Sequence, residues 1–339
     1  MTISETEARA LAARAFCIAG VDPEAAEAAA EALVLAEMMG IATHGLSRVA
    51  VYRDRIAAGG IDPKARPVVT APGPALRHVD GRNGLGPAVA GAALDAAMEA
   101  ARDTGLGAAF VRGGNHLGAL APYLWRATEA GFAALITTNT APMIAPPGGR
   151  EARIGNNPLG IGVPNPGGVP VLLDIALSVA ARSKVRAAAR DGRAIPETWA
   201  TDISGHPTTD PVAAMDGLMQ ATGGAKGANL ALCLDLLSAG LSGATMLRAV
   251  TNSAREPGRA QDLGQLVLVI DAARLMPPEA LSARMARASE DLTNSAPVDP
   301  ARPVRLPGAR AVQSLKTARE RGLSLSPEVL SGLRAMAEG

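Results

Sequence analysis

Only four histidines occur in the 339 residues, so the surroundings of each can be weighed singly. His44 stands in THGLSR (43–48). The spacing predicts a helix from about Thr43 to Ala58, on which His44 and Arg48 share a face, roughly 6 Å apart between Cβ atoms. With side-chain reach allowed for, that is about the separation of the carbonyl oxygen and the carboxylate of a 2-oxo acid. An arginine grips a carboxylate with two parallel hydrogen bonds. An imidazole titrates near neutral pH and can give a proton to a carbonyl oxygen as a hydride reaches carbon. Thr43 can orient the imidazole, and Tyr52 lies one further turn along. A solvated helix face carrying a His and an Arg by coincidence would show the same spacing.

His116 sits in GGNHLG (113–118), a glycine-rich loop directly after a predicted strand, where backbone and ligand can approach closely. A histidine that merely caps the following helix is the plainer reading. His78 alternates with apolar neighbours in a short strand, and His206 lies in the polar turn SGHPTTD. No His, Cys or carboxylate pair has metal-ligand spacing, so no metal is expected. Neither a G-x-S-x-G elbow nor a P-loop lysine motif occurs. GRNGLGPAVA (81–90) imitates a dinucleotide fingerprint with Gly84 and Gly86, but Val89 occupies the close-packing position and Arg112 stands where an acidic residue would follow. A helix cap without a ligand is the better reading of that loop.

Certain elements must position these residues. Ser4 and Glu7 form a capping box, Asp22-Pro23 opens a second helix, and Gly59-Gly60 ends the third. From about residue 66, β-rich runs alternate with helical patterns. The runs 76–80, 107–113, 132–139, 169–176 and 265–272 read as strands. Helices are expected at 87–102, 117–130, 178–191, 226–242 and 277–291, and again beyond 309, with a break at Gly322 and a restart at Ser326-Pro327. The apolar stretch 228–247 contains Asp235 and reads as a core helix, not a membrane span.

Composition removes whole classes of function. A net charge of +1, from 33 basic and 32 acidic residues, lacks the electrostatic footprint of a nucleic-acid binder. Seven aromatic residues leave little for base stacking. Cys17 and Cys233 form no disulfide framework, which favours a reducing, cytoplasmic setting, and both are expected as buried small hydrophobes. The acidic, polar start MTISETEARA does not read as a signal peptide.

Taken together, the segments resemble the malate/L-lactate dehydrogenase family that lacks a Rossmann fold, which also holds ureidoglycolate and sulfolactate dehydrogenases and cyclic ketimine reductases. The resemblance is carried from about residue 5 to 325 by THGLSRVAVYRDRIAAGGI (43–61), GRNGLGP (81–87), GGNHLGALAPY (113–123), the stretch 137–164, LLDIALSVAARSK (172–184), GGAKGANLALCLDLL (223–237) and LPGAR (306–310). It implies an α/β fold with helical N- and C-terminal regions around a mixed-sheet cofactor domain. The implied division is 1–65, 66–305 with two intertwined subdomains, and 306–339 packing back on the N-terminal region.

The resemblance further implies a homodimer, and NAD- or NADP-dependent hydride transfer to a 2-oxo acid or cyclic imino acid, with a small-molecule carboxylate as substrate. His44 corresponds to the proton donor, Thr43 and Asp174 to the ends of a hydroxyl–His–carboxylate relay, and Arg48 to the carboxylate clamp, with Tyr52 also at the substrate. His116 falls beside the nicotinamide and holds the acid/base role in some relatives. Thr140, Asp174, Ile175, Ala176, Gly224, Lys226, Leu306, Pro307 and Gly308 fall in dinucleotide-contacting stretches. The chain departs from the family where relatives read G-H-K-G-Y-G: Ala225, Ala228 and Asn229 replace the His, the Tyr and the last Gly, and Ser183 replaces another Gly. Two lost side chains imply either a larger pocket or weaker nucleotide binding. The second outcome would suit a repurposed binding or assembly dimer.

Overall fold

The protein is described from a computed structural model covering residues 2–339. After β1 (Thr2–Ile3), three helices follow: α1 (Glu5–Ile18), α2 (Pro23–Met38) and α3 (Arg48–Ala57). The middle of the chain runs β2 (Val68–Gly73), β3 (Leu76–Asp80), α4 (Gly86–Thr104), β4 (Leu106–Gly114), α5 (Ala121–Glu129), β5 (Phe132–Thr138), β6 (Leu159–Val163) and β7 (Val171–Ile175). It continues with α6 (Arg182–Arg190), α7 (Pro211–Asp216), α8 (Ala225–Asp235), β8 (Leu263–Asp271) and α9 (Pro278–Thr293). The chain closes with α10 (Ala309–Arg321), β9 (Leu323–Ser324) and α11 (Pro327–Glu338).

Seven strands form one mixed sheet in the order β2-β3-β4-β8-β5-β6-β7. Only β3 and β4 pair in parallel, joined by the α4 crossover that such a pairing requires. Every other neighbour is antiparallel, so no doubly wound sheet forms. Small side chains let the layers approach. α4 presents Ala93, Ala97 and Ala101 to the sheet, and a Cβ on Gly107 of β4 would collide with the Ala97 carbonyl. The main core joins α1, α2 and α4 to the sheet, and it takes in Val312 and Leu315 of α10 with Leu330 and Leu333 of α11. Two smaller apolar clusters lie under the 144–154 and 180–219 segments.

Several local expectations are corrected. The single helix over 43–58 is split: Ala42–His44 form a 3-10 turn, Gly45 leaves helical geometry, and α3 begins only at Arg48. The helix expected at 117–130 begins only at Ala121, where the N–H groups of Leu120 and Ala121 donate to the Asp174 carboxylate of β7. The 226–242 helix widens into a π-turn over Leu236–Gly240, and Asp235 is fully buried there. Both cysteines are exposed, not buried. No described helix is long and apolar enough to cross a membrane.

Candidate active site

Gly45 breaks the helix for a physical reason. The Glu37 carboxylate of α2 accepts a hydrogen bond from Leu46 N at 2.8 Å, and a Cβ on Gly45 would collide with that carboxylate. His44 and Arg48 therefore lie on successive elements and not on one helix face. They are nonetheless joined: Arg48 Nε donates to the Thr43 carbonyl at 2.6 Å, and Thr43 Oγ1 lies 3.0 Å from His44 Nδ1. Among the described residues, no carboxylate pairs with the Arg48 guanidinium.

His116 arrives from the other side of the cluster. Its ring stacks on His44, with centroids 5.5 Å apart and planes 24° from parallel. Tyr52, four residues after Arg48 on α3, places its hydroxyl 2.7 Å from His116 Nδ1. Tyr52 is 2% exposed, and its hydroxyl orients His116. The false fingerprint loop is part of the same support. Gly81 N donates to Arg112 O, Asn83 N donates to Gly113 O, and a Cβ on Gly86 would collide with the carbonyls of Asn115 and His116. The glycines that imitate a nucleotide loop make room for the protein's own histidine loop.

The cluster is electrically one-sided. Burial, and then the Arg48 charge, hold the His44 imidazole down to about 4. His116 is held down to about 3 by burial, followed by Arg48, His44 and Arg55. Burial pushes the Tyr52 phenol above its ordinary range, partly opposed by Arg48 and Arg55. Both imidazoles are thus neutral near pH 7, and each has Nδ1 against a hydroxyl. A hydroxyl donates or accepts. Where Nδ1 accepts, Nε2 carries hydrogen and can donate it; where Nδ1 donates, Nε2 is a free base.

Asp174 is placed differently from the relay that the resemblance implies. Its Oδ2 accepts from Leu120 N at 2.8 Å and Ala121 N at 2.9 Å, satisfying donors at the start of α5. It makes no hydrogen bond to His44, so no direct carboxylate–imidazole relay is formed. Burial raises its carboxyl above the ordinary range against those two N–H donors. Asp174 lines a cavity of about 390 Å³ with Leu306, Pro307 and Gly308, beside Ile41, Ala121, Arg305 and Arg310. Ile175 and Ala176 are exposed at the end of β7.

The remaining residues matched to dinucleotide-contacting stretches lie elsewhere. Thr140 is tied to Asn156 and Asn157 through hydrogen bonds of 2.9 Å each. Gly224 precedes α8 and lines a second cavity of about 320 Å³, which Ala225 and Ala228 also line. No side chain caps the α8 N-terminus, and Lys226 is exposed in its first turn. Open N–H groups at a helix start beside a lysine fit a phosphate, so the start of α8 fits a phosphate of a dinucleotide. No group of three His, Cys, Asp or Glu among the described residues could hold a metal.

Residue-by-residue reading missed four supporting side chains: Glu37, Arg55, Asn115 and Gln261. Arg55 is 3% exposed and binds Asn115 Oδ1 and Gln261 Oε1, each at 3.0 Å. Gln261 Oε1 also accepts from His116 N at 3.3 Å. Two signals were available: Arg55 falls on the Arg48–Tyr52 face of α3, and Glu37 is an acid in a last helical turn, where the dipole disfavours it.

Residues 3–334 match the malate/L-lactate dehydrogenase family. The chain is 37% identical to a (2R)-3-sulfolactate dehydrogenase (NADP(+)) from Chromohalobacter salexigens, over 99% of this chain and 98% of that one. It is 35% identical to the ureidoglycolate dehydrogenase (NAD(+)) of Escherichia coli K12, over 80% of this chain and 77% of the other. The crystal structure of Δ1-piperideine-2-carboxylate reductase from Pseudomonas syringae superposes with a TM-score of 0.89 at 31% identity, covering 99% of each chain. The chain belongs to the malate/L-lactate dehydrogenase family.

Proposed function

We propose that the protein is an NAD(P)-dependent oxidoreductase acting on a 2-oxo or 2-hydroxy acid, or on a cyclic imino acid. The observation that carries this reading is the pair of stacked imidazoles beside an arginine without a carboxylate partner. Arg48 binds the substrate carboxylate through its guanidinium fork. The adjacent carbonyl or imine then faces His44 and His116, one of which gives the proton in reduction and takes it in oxidation. A bound nicotinamide supplies or receives the hydride. Residues around Asp174 and Leu306–Gly308, together with Thr140 and the α8 N-terminus, hold that dinucleotide.

The imidazole electrostatics fit such a cycle. Arg48 is the second-largest cause depressing both histidines, after burial. A substrate carboxylate on Arg48 cancels that repulsion and makes either imidazole a better proton carrier in the complex. Apolar side chains exposed along α8 and its π-turn, Leu230, Leu237 and Leu241 with Met246 beyond them, support a homodimer. The open wall at Ala225 and Ala228 is what would favour a repurposed binding protein; the assembled Thr43, His44, Arg48 and His116 favour catalysis. NADH or NADPH consumption with a panel of 2-oxo acids and cyclic imines, with and without a chelator, tests the reading. Turnover that survives the chelator supports it. No turnover with any member, or turnover restored only by a divalent ion, contradicts it.

A further inference from the structure

Arg55 is a buried cation with an unusual set of partners. Its two terminal nitrogens donate to four oxygens: Asn115 Oδ1 at 3.0 Å, Gln261 Oε1 at 3.0 Å, Gly60 O at 2.9 Å and Arg259 O at 3.0 Å. All four oxygens are neutral, Nε has no partner, and no carboxylate pairs with the group among the described residues. A buried charge without a counter-ion is costly, and a partner carboxylate would lower the cost. Two of the acceptors are amide side chains. Asn115 also needs its Nδ2 as donor to Asn83 Oδ1 and Gly84 O, each at 2.9 Å. Gln261→Glu, by contrast, would supply a counter-ion of nearly the same shape at the cost of one 3.4 Å bond to Thr251 O. The same two side chains reach the catalytic loop: Asn115 immediately precedes His116, and Gln261 accepts from the His116 backbone N–H. Arg48, Tyr52 and Arg55 occupy positions i, i+4 and i+7 of α3, one face of one helix.

We propose that Arg55 is a positioning residue left without a counter-ion, so that its charge stands behind His116 and joins Arg48 in drawing an anionic substrate to the site. The inference rests on the carboxylate-substrate reading above. The groups around His116 are His44 from the 3-10 turn, Arg48, Tyr52 and Arg55 from α3, and Gln261 from the segment before β8; none carries negative charge. At Gln261, whose Nε2 donates, among the described residues, only to Thr251 O at 3.4 Å, a clasp that merely tied α3 to the loops would gain a counter-ion for one long hydrogen bond. A charge used by the site would lose its use.

Gln261→Glu separates the two. Three readouts apply to the intact protein: thermal melting, the NMR titration of the His116 ring, and affinity for a small monocarboxylate analogue of a 2-oxo acid, oxamate, in the presence of NADH. The inference predicts a melting temperature equal to or above wild type, a His116 titration moved to higher pH, and oxamate affinity lowered by about tenfold or more. Arg55→Lys, which keeps the charge but cannot reach four acceptors, should hold oxamate affinity within about threefold while lowering turnover. A melting temperature that rises with unchanged oxamate affinity would overturn the inference while leaving the carboxylate reading intact. An unmoved His116 titration in Gln261→Glu would overturn it without any substrate being bound. Wild type that fails to bind oxamate would instead count against the carboxylate reading.

Discussion

The His44–His116 centre and the wall at residues 223–228 are built on opposite principles. In the first, each imidazole Nδ1 is tied to a hydroxyl, and the loops beneath are held by Glu37, Arg55, Asn115 and Gln261. In the second, Gly223 and Gly224 have nothing within 4 Å of a would-be Cβ, Lys226 is exposed, and two alanines face a cavity. On the proposed function, preorganisation is concentrated where a proton would move and a carboxylate would be oriented, since small misplacements there are costly. Space is left where substrate or cofactor size can vary.

The largest effect should come from the centre. His44→Ala should lose about 10²–10⁴ in turnover, the usual scale of general acid–base catalysis. If His116→Ala is crippled and His44→Ala stays near wild type, the proton belongs to His116 and the two roles are exchanged. The pH profile sharpens the same point. The free-enzyme imidazole of His44 lies at about 4 and that of His116 at about 3. Because kcat/KM reports the free enzyme, oxidation of a 2-hydroxy acid should stay level through the neutral range and fall only as pH drops toward 4. A fall centred near 6.5 would show that neither depressed imidazole is the base.

The wall should respond to volume and not to charge. Ala225→His combined with Ala228→Tyr fills the second cavity. Reduction of a bulky 2-oxo acid or ring imine should fall by about tenfold, with pyruvate little changed. A wild-type enzyme that prefers pyruvate to every bulkier substrate would contradict this assignment of the space. Stability should respond to pH as well. Two histidines buried neutral have folded pKa values below the unfolded 6.5, so the stability they contribute is whole above that value. It should be lost as pH falls from about 6.5 toward 4, by roughly 1.4 kcal/mol per pH unit for each histidine. Thermal melting across that window, compared with His116→Gln, measures it.

What the sequence made legible follows the range of the interactions. Strands β3, β4, β5, β7 and β8 carry alternating or continuous apolar runs, and all lie where the pattern places them. β6, LGIGV, was missed because two of its five residues are glycines. Their use is tertiary: a Cβ on Gly160 would press on Leu120 and Leu124. The site was legible as residue types, with Thr43, His44, Arg48, Tyr52 and His116 brought to one cluster. Its geometry was not, because the turn at Gly45 depends on Glu37 of another helix and the His116 loop depends on Arg55 and Gln261. Those contacts span up to 206 residues, and no local periodicity records them. Exposure of Cys17 and Cys233 was misread for a related reason, since a small apolar residue on a helix does not declare which face is covered.

In the proposed function Arg48 holds a carboxylate beside an imidazole. The most direct measurement compares steady-state kinetics of wild type and Arg48→Lys on one substrate and on its amide or ester. A lysine keeps the charge but not the planar fork, so orientation is lost along with attraction. Wild type should use the acid far better than the amide. Arg48→Lys should keep NAD(P)H affinity, raise KM and lower kcat for the acid together, and penalise the amide much less. Equal penalties on acid and amide would show that Arg48 serves the fold and not the substrate.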